Sequence, residues 1–319
     1  GATAAIKKFQ EIMGIYLPPA TRELIGTQNL RNVKVPLAII SPYEHHSVEV
    51  SLREGLCDIE RIGLDESGKI DILNLKQILK LNSKRKIIAC FSAASNVTGI
   101  KSDYKEIYRL VKEHGGIFAL DAATLSAYEN IDCKYFDALF LSPHKLLGGV
   151  GSCGLLVIKK ELCKDVPTFA AGGTVKYVSR TSHLFVNEFE HLEEGGTPPI
   201  IQLIRANLAY KLRNEIGFKV IKKAEYELGS LFCEELKNID EVINYCPKNV
   251  ERLPIFAFNI KDVSPYDFAA SLSNDFGVQT RAGCDCAGPY GHDLLHLKDN
   301  AVFDVKPGWV RVSIHYTHT

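Results

Sequence analysis

No apolar run in this 319-residue chain reaches ten residues. A helix needs roughly 20 apolar residues to cross a bilayer, so none is expected to do so. There is no excess charge of either sign, since 38 Lys and Arg balance 38 Asp and Glu. No overall field therefore draws the chain to nucleic acid or to a membrane surface, and neither is expected as a partner. A regular cysteine framework is missing too. The cysteines number nine, and most stand singly in apolar surroundings: Cys57, Cys90, Cys133, Cys153, Cys163, Cys233 and Cys246. That pattern excludes a disulfide scaffold and suits reduced thiols in a reducing compartment, the cytoplasm or an organelle matrix. No secretory or transit signal is visible. The chain opens on Gly1-Ala2-Thr3-Ala4-Ala5-Ile6, which reads as the middle of a motif, so targeting is not legible there.

Short apolar runs and amphipathic stretches alternate along the chain. Thr3 to Met13 reads as a helix, with Thr3 as a cap or first-turn residue whose free N–H groups suit an anion. Pro36 to Ile40, Cys57 to Leu64, Arg85 to Phe91, the run ending at Asp121, Phe136 to Leu141 and Gly154 to Ile158 read as strands. Asp71 to Leu81 and Asp103 to His114 read as helices between them. Alternation of this kind predicts an α/β fold with a mostly parallel, doubly wound sheet. Helices over Pro199 to Gly217 and 218–238 follow, then strands over Leu253 to Ile260 and Val310 to Ile314. A smaller C-terminal α+β domain is expected from about residue 215. The expected division is 1–214 and 215–319.

Ser142-Pro143-His144-Lys145-Leu146 stands at the mouth of a strand, ahead of Gly148, Gly149 and Gly151. Ser142 and His144 can donate to phosphate oxygens, and the glycines allow close backbone approach. A desolvated lysine beside other cations has a lowered pKa and can form a Schiff base. The plain alternative is a surface lysine in a glycine-rich turn. Asp121 also closes an apolar run, and ligands of open α/β sheets lie outside the carboxyl ends of strands. Pyridoxal phosphate needs such a pair: a lysine for its aldehyde and an aspartate that keeps its ring nitrogen protonated.

Further on, Arg281-Ala282-Gly283-Cys284-Asp285-Cys286-Ala287-Gly288-Pro289 has three readings. It is half of a zinc site, with His292 and His296 nearby; or structural packing; or a loop holding a nucleophile whose thiolate Arg281 favours. Arg311, flanked by Val310 and Val312, must find an anionic partner if buried, in a structural ion pair or in a ligand.

In order along the chain, Asp121-Ala122-Ala123, Ser142-Pro143-His144-Lys145 and Arg281-Ala282-Gly283 with Cys286 resemble the motifs of pyridoxal-phosphate enzymes of fold type I in the class V aminotransferase group. Within it, the likeness is to group II cysteine desulfurases and selenocysteine lyases, and it runs from residue 1 to 319. The resemblance implies Lys145 as the cofactor lysine, Asp121 at the ring nitrogen and His45, from Glu44-His45-His46, stacked on the ring. It implies Thr3, Ser142, His144 and Thr197 at the phosphate, with Thr197 reaching the neighbouring subunit of a homodimer. Asn96 would lie near the cofactor and, with Arg311, at the substrate carboxylate. Cys286 would be the nucleophile that forms a persulfide, and no metal is implied. The substrate would be L-cysteine or L-selenocysteine, with a sulfur-acceptor protein as partner. Glycine-rich pieces at 172–174 and 194–198 resemble loops lining that active site. Family members carry a segment before the point where this chain starts, so by resemblance the N-terminus reads as truncated, processed or not included. The chain differs from the pattern at Val48, Thr124 and Cys284, which stand where Asn, Gln and His are usual. Two other functions stay open: a different class V aminotransferase or lyase activity, and a non-catalytic member of the fold.

Overall fold

The computed structural model describes residues 1–30, 33–247, 249–299 and 303–318. Six of the apolar runs make one sheet: β1 (Leu37–Ile40), β2 (Asp58–Arg61), β3 (Ile87–Ser92), β4 (Ile117–Asp121), β5 (Ala138–Leu141) and β6 (Leu155–Ile158). Their order is β2-β1-β3-β4-β5-β6. All neighbours are parallel except β6, which runs antiparallel to β5.

Side chains of a strand point alternately to its two faces, and here both faces are buried. Leu37, Ile39, Ile87, Ala89, Phe91, Phe118, Leu120, Leu139 and Leu141 enter one core. Ala38, Ile40, Ile88, Cys90, Ala119, Ala138 and Phe140 enter the other. The first core is covered by helices Ile72–Leu81 and Tyr104–Glu113, through Leu75, Leu79, Ile107 and Val111. Asp71 and Asp103 cap these helices by accepting from Asn74 N and Glu106 N, which starts each helix one residue later than the sequence suggests. The second core is covered by helix Ala2–Met13, through Ala5, Ile6, Phe9 and Ile12. Thr3 sits in its first turn and does not cap it.

A second, antiparallel sheet has the order β11-β12-β10-β9. Its strands are β9 (Val242–Asn244), β10 (Ile255–Ile260), β11 (Arg281–Gly283) and β12 (Trp309–Ser313). Phe258 and Val310 pack with Leu236, Phe232, Phe268 and Leu272, side chains of helices Phe218–Lys237 and Pro265–Phe276. Ala257 and Trp309 face the other way, into the first sheet's core. Strand alternation then puts Arg311 on the Trp309 side, toward the first sheet. Two further strands, β7 (Val175–Val178) and β8 (His183–Phe185), form a separate hairpin.

Several strands are shorter than the sequence suggests, and for two of them the cause is visible. β2 stops at Arg61, and two residues on, the Gly63 N–H goes to Asn74 Oδ1 instead of a strand. β10 begins only at Ile255, because Pro254 has no N–H to give and Leu253 N bonds to Gly99 O. Among the described residues, no helix is long and apolar enough to cross a membrane.

Candidate active site

The first sheet switches direction at β1, whose neighbours are β2 on one side and β3 on the other. A cavity of ≈ 240 Å³ opens beyond the carboxyl ends of β1, β3, β4 and β5, where the strand order calls for a ligand. Thr3, His45, Asn96, Asp121, Ser142, His144 and Lys145 all line it. Those seven residues come from four strand ends and one helix start.

β5 ends at Leu141, and Ser142-Pro143-His144-Lys145 closes a single tight turn in which Lys145 N bonds to Ser142 O. The turn demands glycine behind it. Any side chain at Gly149 would collide with the Pro143 carbonyl, and Gly148 has φ +75°. Lys145 lines the cavity and is exposed to solvent there. Desolvation by the surrounding protein lowers its proton affinity, Asp121 opposes this, and Arg311 and Arg281 add to it. Its amine is 3.4 Å from Thr124 Oγ1.

Asp121 is the last residue of β4 and is buried. One carboxyl oxygen accepts from Ala123 N at 2.9 Å. Burial raises its pKa, while that N–H and the Lys145 charge hold it down.

His45 caps helix His46–Arg53, its Nδ1 accepting from Ser47 N at 3.0 Å. Burial, then the charges of Lys145, His46 and Arg281, push its pKa down to about 4. The ring is therefore neutral near pH 7. Ser47 Oγ also meets Thr3 Oγ1 at 2.7 Å. Glu44, one residue before His45, is buried and clamps β1 to β3. Its carboxyl accepts from Ser92 N at 2.7 Å and lies 3.0 Å from Ser92 Oγ.

Cys286 and Arg311 approach from the second sheet. The Cys286 loop is tied down on both sides. His46 N donates to Cys286 O at 2.8 Å, and Gly288 N donates to His46 Nε2 at 2.7 Å. Asn96 Nδ2 donates to Asp285 O at 2.7 Å. Asp285 and Cys286 both hold left-handed backbone, φ 50° and 60°, an unusual pair for non-glycine residues. Arg311 Nη1 donates to Asn96 O at 2.9 Å. Among the described residues, Arg311 Nε and Asn96 Oδ1 are buried without a protein partner, one donor and one acceptor free for a ligand.

Thr197 is exposed and lies outside this cavity. The glycine-rich pieces around it pair with each other, Gly173 N donating to Gly195 O at 3.0 Å, and neither lines the cavity of its own chain. Among the described residues, no group of three or more His, Cys, Asp or Glu side chains is placed to hold a metal.

Three residues escaped the sequence reading. Glu44 stood in the Glu-His-His stretch but gave no sign of burial. Ser47 gave no signal. Asp285 sat between the two cysteines, and its role comes from a strand pairing described below.

Comparison with known proteins fits this geometry. The profile described as aminotransferase class-V matches residues 32–319. A probable cysteine desulfurase of Staphylococcus aureus is 31% identical over 259 residues, covering 79% of this chain and 61% of the relative. One of Pyrococcus abyssi is 31% identical over 287 residues, covering 87% of this chain and 67% of the relative. The chain thus spans about three fifths of the length of the Staphylococcus relative, 61%. The apo structure of a cysteine desulfurase from Thermococcus onnurineus superposes with TM-score 0.80 at 24% identity, over 100% of this chain and 74% of that one. The Escherichia coli cysteine desulfurase CsdA, in an S-sulfonic acid form, gives TM-score 0.78 at 20% identity, over 100% and 73%.

Proposed function

We propose that this chain, which belongs to the class-V aminotransferase family, is a pyridoxal-phosphate enzyme that takes sulfur from L-cysteine, leaving alanine and a persulfide on Cys286. The observation that carries it is the meeting of Lys145 and Asp121 in one cavity, with Arg311 and the Cys286 loop brought against it.

The residues fit the cofactor. Lys145 and Asp121 supply the amine and the carboxylate, and among the described residues no side chain bonds to Asp121, whose Oδ1 accepts from Ala123 N. His45 offers a neutral ring face. Thr3, Ser142 and His144, beside the start of helix Ala2–Met13, suit a phosphate. Bound there, pyridoxal phosphate would supply an aldehyde for amines and a ring that draws electron density from the α-carbon. Lys145, with its lowered proton affinity, is suited to take and return the α-proton. Arg311 would hold the substrate carboxylate, and Asn96, whose Nδ2 already donates to Asp285 O, would reach it only through the second N–H of that amide. The Cys286 thiolate would attack the substrate sulfur. The S–S bond forms as the substrate's C–S bond breaks, and a proton replaces sulfur on the carbon that becomes the alanine methyl.

L-Selenocysteine is the alternative substrate with the same geometry, and a sulfur-acceptor protein would discharge the persulfide. A homodimer is supported by an apolar stripe on helix Ile200–Ile216, close after Thr197: Ile200, Ile204, Leu208 and Leu212 recur every four residues and are all exposed. In such a dimer, Thr197 would serve the partner's phosphate. Division into 1–214 and 215–319 is supported by the two sheets, whose strands come from opposite sides of that boundary.

The test is cofactor uptake. With pyridoxal phosphate added and the excess removed, the protein should keep a visible absorbance band, and Lys145→Ala should lose it. An equal band in the variant would contradict the assignment.

A further inference from the structure

Arg281 on β11 lies directly opposite Arg311 on β12. Two like charges facing each other across a strand pair are unfavourable unless an anion stands between them. Asp285 is that anion. Its side chain is fully buried, and Oδ1 makes ion pairs without hydrogen-bond geometry, 3.2 Å from Nε of the largely exposed Arg281 and 3.4 Å from Nη1 of the more enclosed Arg311. Oδ2 accepts from Trp309 Nε1 at 2.8 Å. Burial raises its pKa, and Arg311, the Trp309 N–H and Arg281 pull it back toward the ionised form.

Tyr128 and Cys286 also face Arg311, each favouring its charged form. His45 is neutral, for the reasons given above. Asp121 answers Lys145 within the cavity. Arg281 and Arg311 both act on the Lys145 amine, so both charges are felt in the cavity. Among the described residues, one carboxylate pairs with both arginines, Asp285. Among the described residues Arg311 Nε has no partner and is free for a further anion.

We propose that Asp285 is a specificity-determining residue: by neutralising one of the two arginines, it makes the site select amino acids with one carboxylate and an uncharged side chain over dianionic ones. This rests on the reading of Arg311 as the carboxylate-binding residue. Asp285 acts through Arg311 and Arg281 and needs no contact with substrate. Its backbone, held by Asn96, also fixes the neighbouring Cys286 in the same electrostatic setting.

The experiment has two readouts on the full chain loaded with pyridoxal phosphate. The first is the rate of Cys286 alkylation by anionic iodoacetate relative to neutral iodoacetamide, followed by mass spectrometry of its peptide. Asp285→Asn keeps an acceptor for Trp309 and removes the charge. It should raise the iodoacetate-to-iodoacetamide ratio about tenfold, as expected for one unit charge at close range in a partly screened site. Arg281→Gln should lower the ratio and serves as the second variant if Asp285→Asn folds poorly. The second readout is the binding of L-aspartate and L-alanine, titrated by the change in cofactor absorbance. Asp285→Asn should improve aspartate relative to alanine by about tenfold. An unchanged alkylation ratio in both variants, or an unchanged aspartate-to-alanine preference, overturns the proposal. The alkylation ratio requires no turnover. A wild-type protein that shows the charge effect at Cys286 but binds neither amino acid would therefore contradict the proposed function and not the charge of Asp285.

Discussion

Replacing Glu44 with glutamine should change how stability depends on pH. Glu44 sits fully inside the protein, bonded to Ser41 and to the end of β3 at Ser92. Burial, with the Asp121 charge adding to it, raises its pKa from the ordinary 4.5 to about 8, against the opposing bonds from Ser41 and Ser92. In the folded protein it is therefore an acid, not a carboxylate, near pH 7. The unfolded chain ionises the same group at 4.5. Between 4.5 and about 8 the folded state holds a proton that the unfolded state has released. Linkage then makes stability fall as pH rises through this window, and level off above it. The full window corresponds to about 5 kcal/mol, and the part below pH ~6.5 to about 3 kcal/mol. Glutamine copies the protonated acid: its oxygen accepts from Ser92 N, and its amide donates to Ser92 Oγ. Glu44→Gln should thus be close to neutral at about pH 5 and more stable than wild type at about pH 8, by about 2–5 kcal/mol. Denaturant unfolding of both proteins at those two pH values, with slopes compared, measures it. An equal loss at both values, or a wild-type stability that does not fall across the window, refutes the reasoning.

Two further substitutions probe the ligand site and the fold. Arg311→Gln removes charged hydrogen bonds that are each worth about 1.5–3 kcal/mol. The apparent KM for L-cysteine should rise by about 10- to 100-fold, with kcat falling less; steady-state kinetics with unchanged KM would count against a carboxylate at Arg311. Phe140→Ala empties a buried site on β5, where the ring meets Phe9 edge-on at 5.4 Å beneath helix Ala2–Met13. It should cost about 3–5 kcal/mol in denaturant unfolding, and a loss below about 1 kcal/mol would show that the helix is not held there.

The strands and the cavity floor were legible because one local rule decides them. Runs such as Ile87–Ser92 and Ala138–Leu141 are buried on both faces, so they read as unbroken apolar segments. Polar residues at or just beyond the ends of such runs, Asp121 and Lys145, then fall at strand mouths together. Strand ends were less legible where a single side chain or proline decides them, as Asn74 does at Gly63 and Pro254 does before Ile255. Asp285 was illegible for a different reason. Its role depends on Arg281 pairing with Arg311 across two strands that are distant in sequence. Glu44 looked like part of a polar turn, and only the position of Ser92 on the neighbouring strand shows that its carboxyl is enclosed. Thr197 belongs to a third kind, since the role expected for it requires a second subunit.

The central claim is that Cys286 receives sulfur from cysteine in a cavity built around Lys145. The direct measurement is the products formed from L-cysteine by the protein loaded with pyridoxal phosphate, with a thiol reductant present, in wild type and in Cys286→Ser. Alanine and sulfide should appear in equal amounts with the wild type. Cys286→Ser should keep the cofactor's absorbance and lose nearly all sulfide release. Pyruvate without sulfide, or undiminished sulfide from Cys286→Ser, would contradict the account.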